Sequence, residues 1–328
     1  MPGCLAGCRP QYFVIPFGPG QSGLARYHHR STAIDKLKFL LARGLLTICA
    51  WLPLSLLQAL AALFGRVMNL CPTRMRETTR YNLRLCFPSL PDRELHTLVA
   101  ESLRETAKTA LEMGKCWLLP VDKVLALVRE IEGGDILEDA YQQGKGVILL
   151  APHLGNWEIF GYYFTEKYPS TFMYQPPKNH YFDEMIKNAR SRGQARLAPT
   201  NRQGVAILLK ALKRGEMVGL LPDQEPAEEG GEFADFFGVP ALSMTLVSRL
   251  VERTGARVIC GYARRLPRGR GFDLVVRAAD PLIYDADLHN SVRGLNRTVE
   301  KCVSEAVSQY QWEYKRFKRR PDGSRFYR

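Results

Sequence analysis

The chain has 328 residues, enough for one large hydrophobic core with appendages, and its 46% hydrophobic and 24% charged content excludes a disordered or low-complexity protein. Its 46 Lys and Arg against 33 Asp and Glu leave a net charge of +13, which calls for an anionic partner: phospholipid or glycolipid head groups, an acidic carrier protein, or nucleic acid. The 8 cysteines form no CxxC pair and no HExxH stretch occurs, so the composition points to a reducing compartment and away from a metal site.

Residues 1–35 read as a poorly ordered extension. Gly18-Pro19-Gly20-Gln21-Ser22-Gly23 has the letters of a dinucleotide-binding loop, but a basic, His-rich stretch follows where a helix and a ribose-binding acid should stand. Nor does the segment hold the short apolar core and small-residue cleavage site of a signal peptide. Residues 36–70 read as a membrane-associated helical segment. Gly44 to Gly65 carries no charge and is long enough to cross a bilayer core of about 30 Å as a helix. Pro53 interrupts it, and both flanks are basic: Lys36, Lys38 and Arg43 before, Arg66, Arg74 and Arg76 after. A broken, partly inserted hairpin with both ends on the cytoplasmic face fits that symmetry; a helical hairpin packed on the domain is the alternative.

Residues 71–320 read as one α/β domain with a central, mostly parallel sheet flanked by helices, followed by a basic tail, 321–328. Arg74 to Leu119 is mostly helical, with Leu95, Val99, Leu103, Ala107 and Leu111 recurring on one face. Asp135 to Gln143 is a short helix closed by Gly144. Val147 to Leu150 is an apolar run of strand length, stopped by Ala151-Pro152. Gly155 and Asn156 supply a turn, and Asn156 is a good N-cap for a helix over Trp157 to Tyr168. The stretch therefore delivers His153 and Glu158 to the carboxyl end of a strand, where α/β sheets place their chemistry. On one continuous helix five positions span about 500°, so the two side chains meet only through the turn. Glu158 would then accept from one ring nitrogen and leave the other as a base. The plainer reading is a capping His and a surface Glu.

Downstream, helix and strand alternate. Thr171–Tyr174, Met217–Leu221, Arg257–Ala263 and Phe272–Val276 read as strands; Tyr181–Arg192, Gln203–Arg214, Ser243–Thr254 and Val292–Tyr310 read as helices. The second buried strand ends in Pro222-Asp223-Gln224-Glu225, repeating the strand–proline–polar order of the first; Asp223 is a site candidate or a structural turn residue. Glu228 to Glu232 reads as a mobile acidic loop, and Phe236-Phe237-Gly238-Val239-Pro240-Ala241 as a packed corner or one wall of an acyl-chain pocket. Arg190, Arg192, Arg196 and Arg202 are solvated surface or, grouped at a cleft, binders of phosphate or developing negative charge. Tyr310 to Arg320 interleaves aromatics with cations, as at an anionic membrane interface; beside the apolar N-terminal segment, membrane is a simpler partner than nucleic acid. No GxSxG elbow and no P-loop occur.

Five blocks, in order, resemble the lipid A biosynthesis lauroyl/myristoyl acyltransferases: Arg80-Tyr81-Asn82-Leu83 with Cys86-Phe87-Pro88, Ala151-Pro152-His153-Leu154-Gly155-Asn156-Trp157-Glu158, Pro222-Asp223-Gln224, Phe236 to Ala241, and Gln309-Tyr310-Gln311-Trp312 leading to Arg316-Phe317-Lys318. The resemblance implies a glycerolipid-acyltransferase-like fold and an enzyme of the bacterial inner membrane with its site on the cytoplasmic face. It implies acyl carrier protein as thioester donor, an anionic glycolipid as acceptor, and no cofactor, metal or nucleic acid. By motif position His153 is the general base and Glu158 its orienting acid; Arg192, then Arg190, is the implicated arginine, and Asp223 and Asn156 support substrate binding. The alternatives are transfer to another membrane glycolipid or phospholipid, a thioester hydrolase, or a non-catalytic membrane-surface binding protein.

Overall fold

The computed structural model describes residues 33–324, 326 and 327, so most of the expected N-terminal extension, with its glycine-rich decoy, lies outside the described residues. The first helix, α1 (Ala33–Trp51), stops because Pro53 disfavours helix at Leu52, and α2 (Leu54–Leu70) restarts with Pro53 as its N-cap. The open carbonyls at that break are met by Lys115, whose Nζ donates to Ala50 O at 2.9 Å and to Leu52 O. The uncharged stretch is thus divided, and no single helix among the described residues is long and apolar enough to cross a membrane.

After α3 (Arg74–Cys86) comes the 27-residue α4 (Asp92–Leu118), whose Leu95, Val99, Leu103 and Ala107 are buried as their spacing predicts. Both α1 and α2 lie along α4. Contact is close: a Cβ on Gly114 would stand 2.4 Å from Leu46 O, and one on Gly65 2.5 Å from Arg104 Cα. The faces turned away from α4 remain apolar. Leu37, Leu41, Leu45 and Ile48 of α1 and Leu56, Leu60, Leu63 and Val67 of α2 are all exposed.

The domain continues through α5 (Val121–Leu125), β1 (Val128–Glu132), α6 (Gly134–Gln142), β2 (Val147–Leu150), α7 (Trp157–Lys167), β3 (Ser170–Tyr174), α8 (His180–Arg190), β4 (Ala195–Pro199), α9 (Arg202–Lys213) and β5 (Met217–Leu220). A hairpin, β6 (Gly231–Phe236) and β7 (Val239–Met244), precedes α10 (Leu246–Thr254), β8 (Arg257–Arg265), β9 (Phe272–Ala278) and α11 (Leu288–Glu305). The seven-stranded sheet has the order β1-β9-β8-β2-β5-β3-β4. Strands β8, β2, β5, β3 and β4 run parallel, while β9 is antiparallel to β8. Successive residues of β2 feed two cores: Ile148 and Leu150 pack on one face, Val147 and Leu149 on the other, as a sheet covered on both sides requires.

The edge strands β1 and β4 are not legible in the sequence, α11 runs Leu288–Glu305 where Val292–Tyr310 is expected, and two further regions depart from the sequence reading. The acidic loop and apolar turn are the β6–β7 hairpin, so the helix expected from Ser243 begins at Leu246. Its two-residue turn places Phe237 (φ 50°) and Gly238 (φ 73°) in the left-handed region, which suits a tight hairpin. Phe237 tolerates this because Phe87 and Trp312 pack on its ring at 5.2 and 6.1 Å, and Glu300 accepts its N–H at 2.7 Å. That makes the segment a packed corner. The Tyr310–Arg320 segment, expected to meet a membrane, is instead largely interior: Trp312 and Phe317 are core residues, and the buried Arg316 donates to Leu242 O and Ser243 Oγ, each at 2.6 Å.

Candidate active site

The site is assembled where β2 and β5 end side by side. Their register pairs Leu150 with Leu220, and each is followed by a proline that halts it, at Pro152 and Pro222. The residues just past those prolines therefore face each other. His153 Nδ1 lies 2.9 Å from Asp223 Oδ1, and the His153 backbone N–H donates to Asp223 Oδ2 at 2.8 Å. On the far side of the ring, Nε2 lies 3.2 Å from the Gln224 amide nitrogen. A carboxylate at Nδ1 and an amide donor at Nε2 specify the Nδ1–H tautomer, with the Nε2 lone pair turned toward Gln224. Trp157 packs edge-on against the imidazole, 4.9 Å between ring centres.

Burial pushes the Asp223 carboxyl up, but the His153 ring and the hydrogen bonds from its side chain and backbone outweigh it, and the net direction is down. Asp223 is therefore an anion at neutral pH. For the buried Tyr310, burial first and the Asp223 carboxylate second hold the phenol well above its usual range.

The geometry corrects the pairing expected from the His-x4-Glu spacing. The ring nitrogen meant for Glu158 is taken by Asp223, and the buried Glu158 pairs with Arg190, whose Nε donates to its two carboxylate oxygens at 3.0 and 3.2 Å. The physical reason is the turn. Gly155 (φ 60°) binds its N–H to Gln309 O and Asn156 its N–H to Ala263 O, both at 3.0 Å, which starts α7 with Glu158 pointing toward α8. The order of the arginines is corrected too. Arg190 lines the cleft, whereas Arg192 donates to the carbonyls of Cys116 and Leu119 at the end of α4 and to the Tyr162 hydroxyl. Asn156 is the N-cap its sequence context predicts, accepting Ile159 N–H at 3.2 Å, but it is fully buried and is not among the residues that line the cleft.

His153, Trp157, Glu158 and Arg190 border a cavity of about 320 Å³, closed on one side by Thr106, Met113 and Trp117 of α4 and on another by Gln311 and Glu313. Trp157, Glu158 and Arg190 also border a narrow apolar slot of about 40 Å³ lined by Gly161, Phe172, Met173, Leu197 and Leu221. A histidine of fixed tautomer thus stands in a cleft that shares the Glu158–Arg190 ion pair with an apolar recess. Sequence reasoning had missed Gln224, Tyr310, Gln311 and Glu313 as site residues. Gln224 was within reach, since it adjoins Asp223 in the repeated strand–proline–polar pattern; the others enter from the chain's last segment by tertiary folding alone.

Comparison with known proteins finds relatives over most of the chain. The chain is 28% identical over 283 residues to the lipid A biosynthesis lauroyltransferase of Escherichia coli K12, covering 85% of this chain and 91% of that one. It is 28% identical over 281 residues to the palmitoleoyltransferase of the same organism, covering 85% and 90%, and 26% identical over 265 residues to its myristoyltransferase, covering 80% and 81%. The family model described as bacterial lipid A biosynthesis acyltransferase matches residues 27–319, and the chain belongs to that family of acyl-transferring enzymes.

Proposed function

We propose that the protein moves a fatty acyl chain from an acyl-carrier-protein thioester to a hydroxyl of a lipid A precursor, with His153 as general base. The observation that carries this reading is the His153–Asp223 pair at the mouth of the cleft, next to the apolar slot. The acceptor hydroxyl displaces the Gln224 amide at Nε2. Its oxygen attacks the thioester carbonyl carbon while its proton passes to Nε2, and Asp223 stabilises the imidazolium. The tetrahedral oxyanion collapses, the C–S bond breaks, and the imidazolium returns the proton to the departing thiolate. The positive end of α7 and the Arg190 guanidinium lie where they favour negative charge in the cleft. The acyl chain runs toward the apolar slot beyond the Glu158–Arg190 pair, whose volume of about 40 Å³ must widen to admit it.

The exposed stripes of α1 and α2, flanked by Lys38, Arg43 and Arg66, suit an anionic bilayer surface in which both helices lie in the plane of the interface. On this reading the enzyme works at the cytoplasmic face of the bacterial inner membrane, and the net charge of +13 favours approach of both acidic carrier and anionic glycolipid. Mass spectrometry of lipids from cells with and without the gene, complemented by wild type or His153→Ala, tests the reading. Loss of one acyl chain from lipid A, restored by wild type alone, is expected. Full restoration by a folded His153→Ala protein would remove His153 from the mechanism, and an unchanged lipid A beside another altered lipid would move the acceptor.

A further inference from the structure

Behind the cleft lies a buried polar cluster that the reaction above does not use. Glu112 of α4 accepts hydrogen bonds on both oxygens: Oε1 from Gln58 Nε2 at 2.9 Å and Arg265 Nε at 2.7 Å, Oε2 from an Arg265 terminal nitrogen at 2.6 Å and Asn156 Nδ2 at 3.0 Å. The side chains of Glu112 and Arg265 are each 1% exposed. Arg265 also donates to Glu105 and to Thr109 Oγ1, both at 2.7 Å. Replacing such a buried ion pair with apolar side chains often costs no stability, so its presence calls for a role in specifying geometry. The partners of this one carboxylate come from α2, from the end of β8 and from the His153–Glu158 turn.

The turn's backbone is already pinned at Gly155 and Asn156 to Gln309 and Ala263. What the Asn156 side chain adds is the start of α7: Oδ1 caps Ile159 while Nδ2 is held by Glu112. That fixes where Trp157 and Glu158 stand in the cleft. Gln58 ties the same carboxylate to a helix whose inner face offers Leu54, Leu57, Ala61 and Gly65, while Leu56, Leu60, Leu63, Phe64 and Val67 point away from the protein. Gln58 further accepts the Gly269 N–H, at 3.1 Å, from the β8–β9 turn.

We propose that Glu112 is a positioning residue for acyl transfer: through Asn156 it sets the start of α7, and through Gln58 it makes that geometry depend on the seating of α2. The proposal rests on the acyl-transfer reading above. The test is steady-state kinetics of the full chain, with an acyl-carrier-protein thioester as donor and a lipid A precursor in vesicles of anionic phospholipid. Glu112→Gln leaves one acceptor oxygen for the four donors from Gln58, Arg265 and Asn156, so either the Asn156 or the Gln58 bond is lost, and Asn156→Asp sets two carboxylates against each other. Each is expected to lower kcat about tenfold or more, the kinetic weight of one hydrogen bond to a charged group, with KM for the thioester little changed. The double variant Glu112→Gln with Asn156→Asp restores the bond to position 156 with donor and acceptor exchanged but not the Arg265 bond at that atom, and is expected to recover part of the lost kcat. A purely structural Glu112 would shift the melting temperature without this rescue. Gln58→Leu, which leaves the Arg265–Glu112 pair intact, keeps the test open if Glu112→Gln does not fold; it is expected to lower kcat severalfold at constant KM. Unchanged kcat in folded Glu112→Gln or in Gln58→Leu, or a double variant no better than the worse single one, overturns the proposal. Absence of turnover by wild type overturns the acyl-transfer reading and this proposal with it.

Discussion

At the scale of single residues, the two carboxylates of the site are separated by what each faces. Asp223 meets a ring N–H and a backbone N–H; Glu158 meets a guanidinium. Asp223→Asn presents an amide that can donate to Nδ1 and so favours the wrong tautomer. We expect it to lower kcat by about 10³- to 10⁴-fold, as loss of the acid does in a Ser-His-Asp triad. Glu158→Gln, acting through Arg190, is expected to cost less, and single-turnover rates with the two variants check the order. In the sequence His153 and Glu158 were visible as a pair because they are close along the chain, while Asp223 lies 70 positions from His153 and joins it through sheet register. The repeated strand–proline–polar order at Ala151-Pro152-His153 and Leu221-Pro222-Asp223 was the signal. Reading it as a contact required knowing that β2 and β5 are neighbours.

At the scale of elements, α2 is apolar on both faces: Leu54, Leu57 and Ala61 are buried, and Leu56, Leu60, Leu63 and Val67 are exposed, where a helix that only closes a soluble core is polar. Replacing Leu60 and Leu63, 46% and 56% exposed, with Asp removes contact with lipid while touching little of α4. The pair is expected to weaken co-sedimentation with anionic vesicles by about tenfold or more, from burial of about 25 cal/mol per Å² of apolar surface, without lowering the melting temperature. Equal vesicle binding by this variant would assign the outward face another partner. Elements with strong local signals were legible: the β2 run, its proline stop and the Asn156 cap give β2 and α7 almost to the residue. The β6–β7 hairpin was not. Its strands carry Gly231, Glu232, Asp235 and Pro240, a polar composition that reads as loop, and its order comes from α11, where Asn296 donates to the carbonyls of Ala234 and Asp235 at 3.1 and 3.0 Å.

At the scale of the whole molecule, buried carboxyls of opposite shift shape the response to pH. For Asp223 and Glu105, burial is outweighed by cationic and hydrogen-bonding partners, so their folded values lie below the unfolded ones. They contribute stability above the ordinary carboxylate range of about 4, and that contribution is lost as pH falls through their depressed values. For Glu300 and Glu313 burial wins, the folded values lie above the unfolded ones, and stability is lost as pH rises through them. The melting temperature should therefore peak on the acid side of neutrality. Glu313→Gln is expected to flatten the alkaline slope and Asp223→Asn the acid one; a flat profile in the wild type would contradict these assignments. The same arrangement has a consequence for how the enzyme is made. The walls of the cleft come from α4, from the β2 and β5 ends and from Tyr310, Gln311 and Glu313, so the base leaves the ribosome long before the wall that encloses it. The apolar helices α1 and α2 precede the sheet in the chain, so their outward faces are made before it. A chain halted after α11 would thus carry His153 with one wall of its cleft absent, because Tyr310, Gln311 and Glu313 all follow that helix.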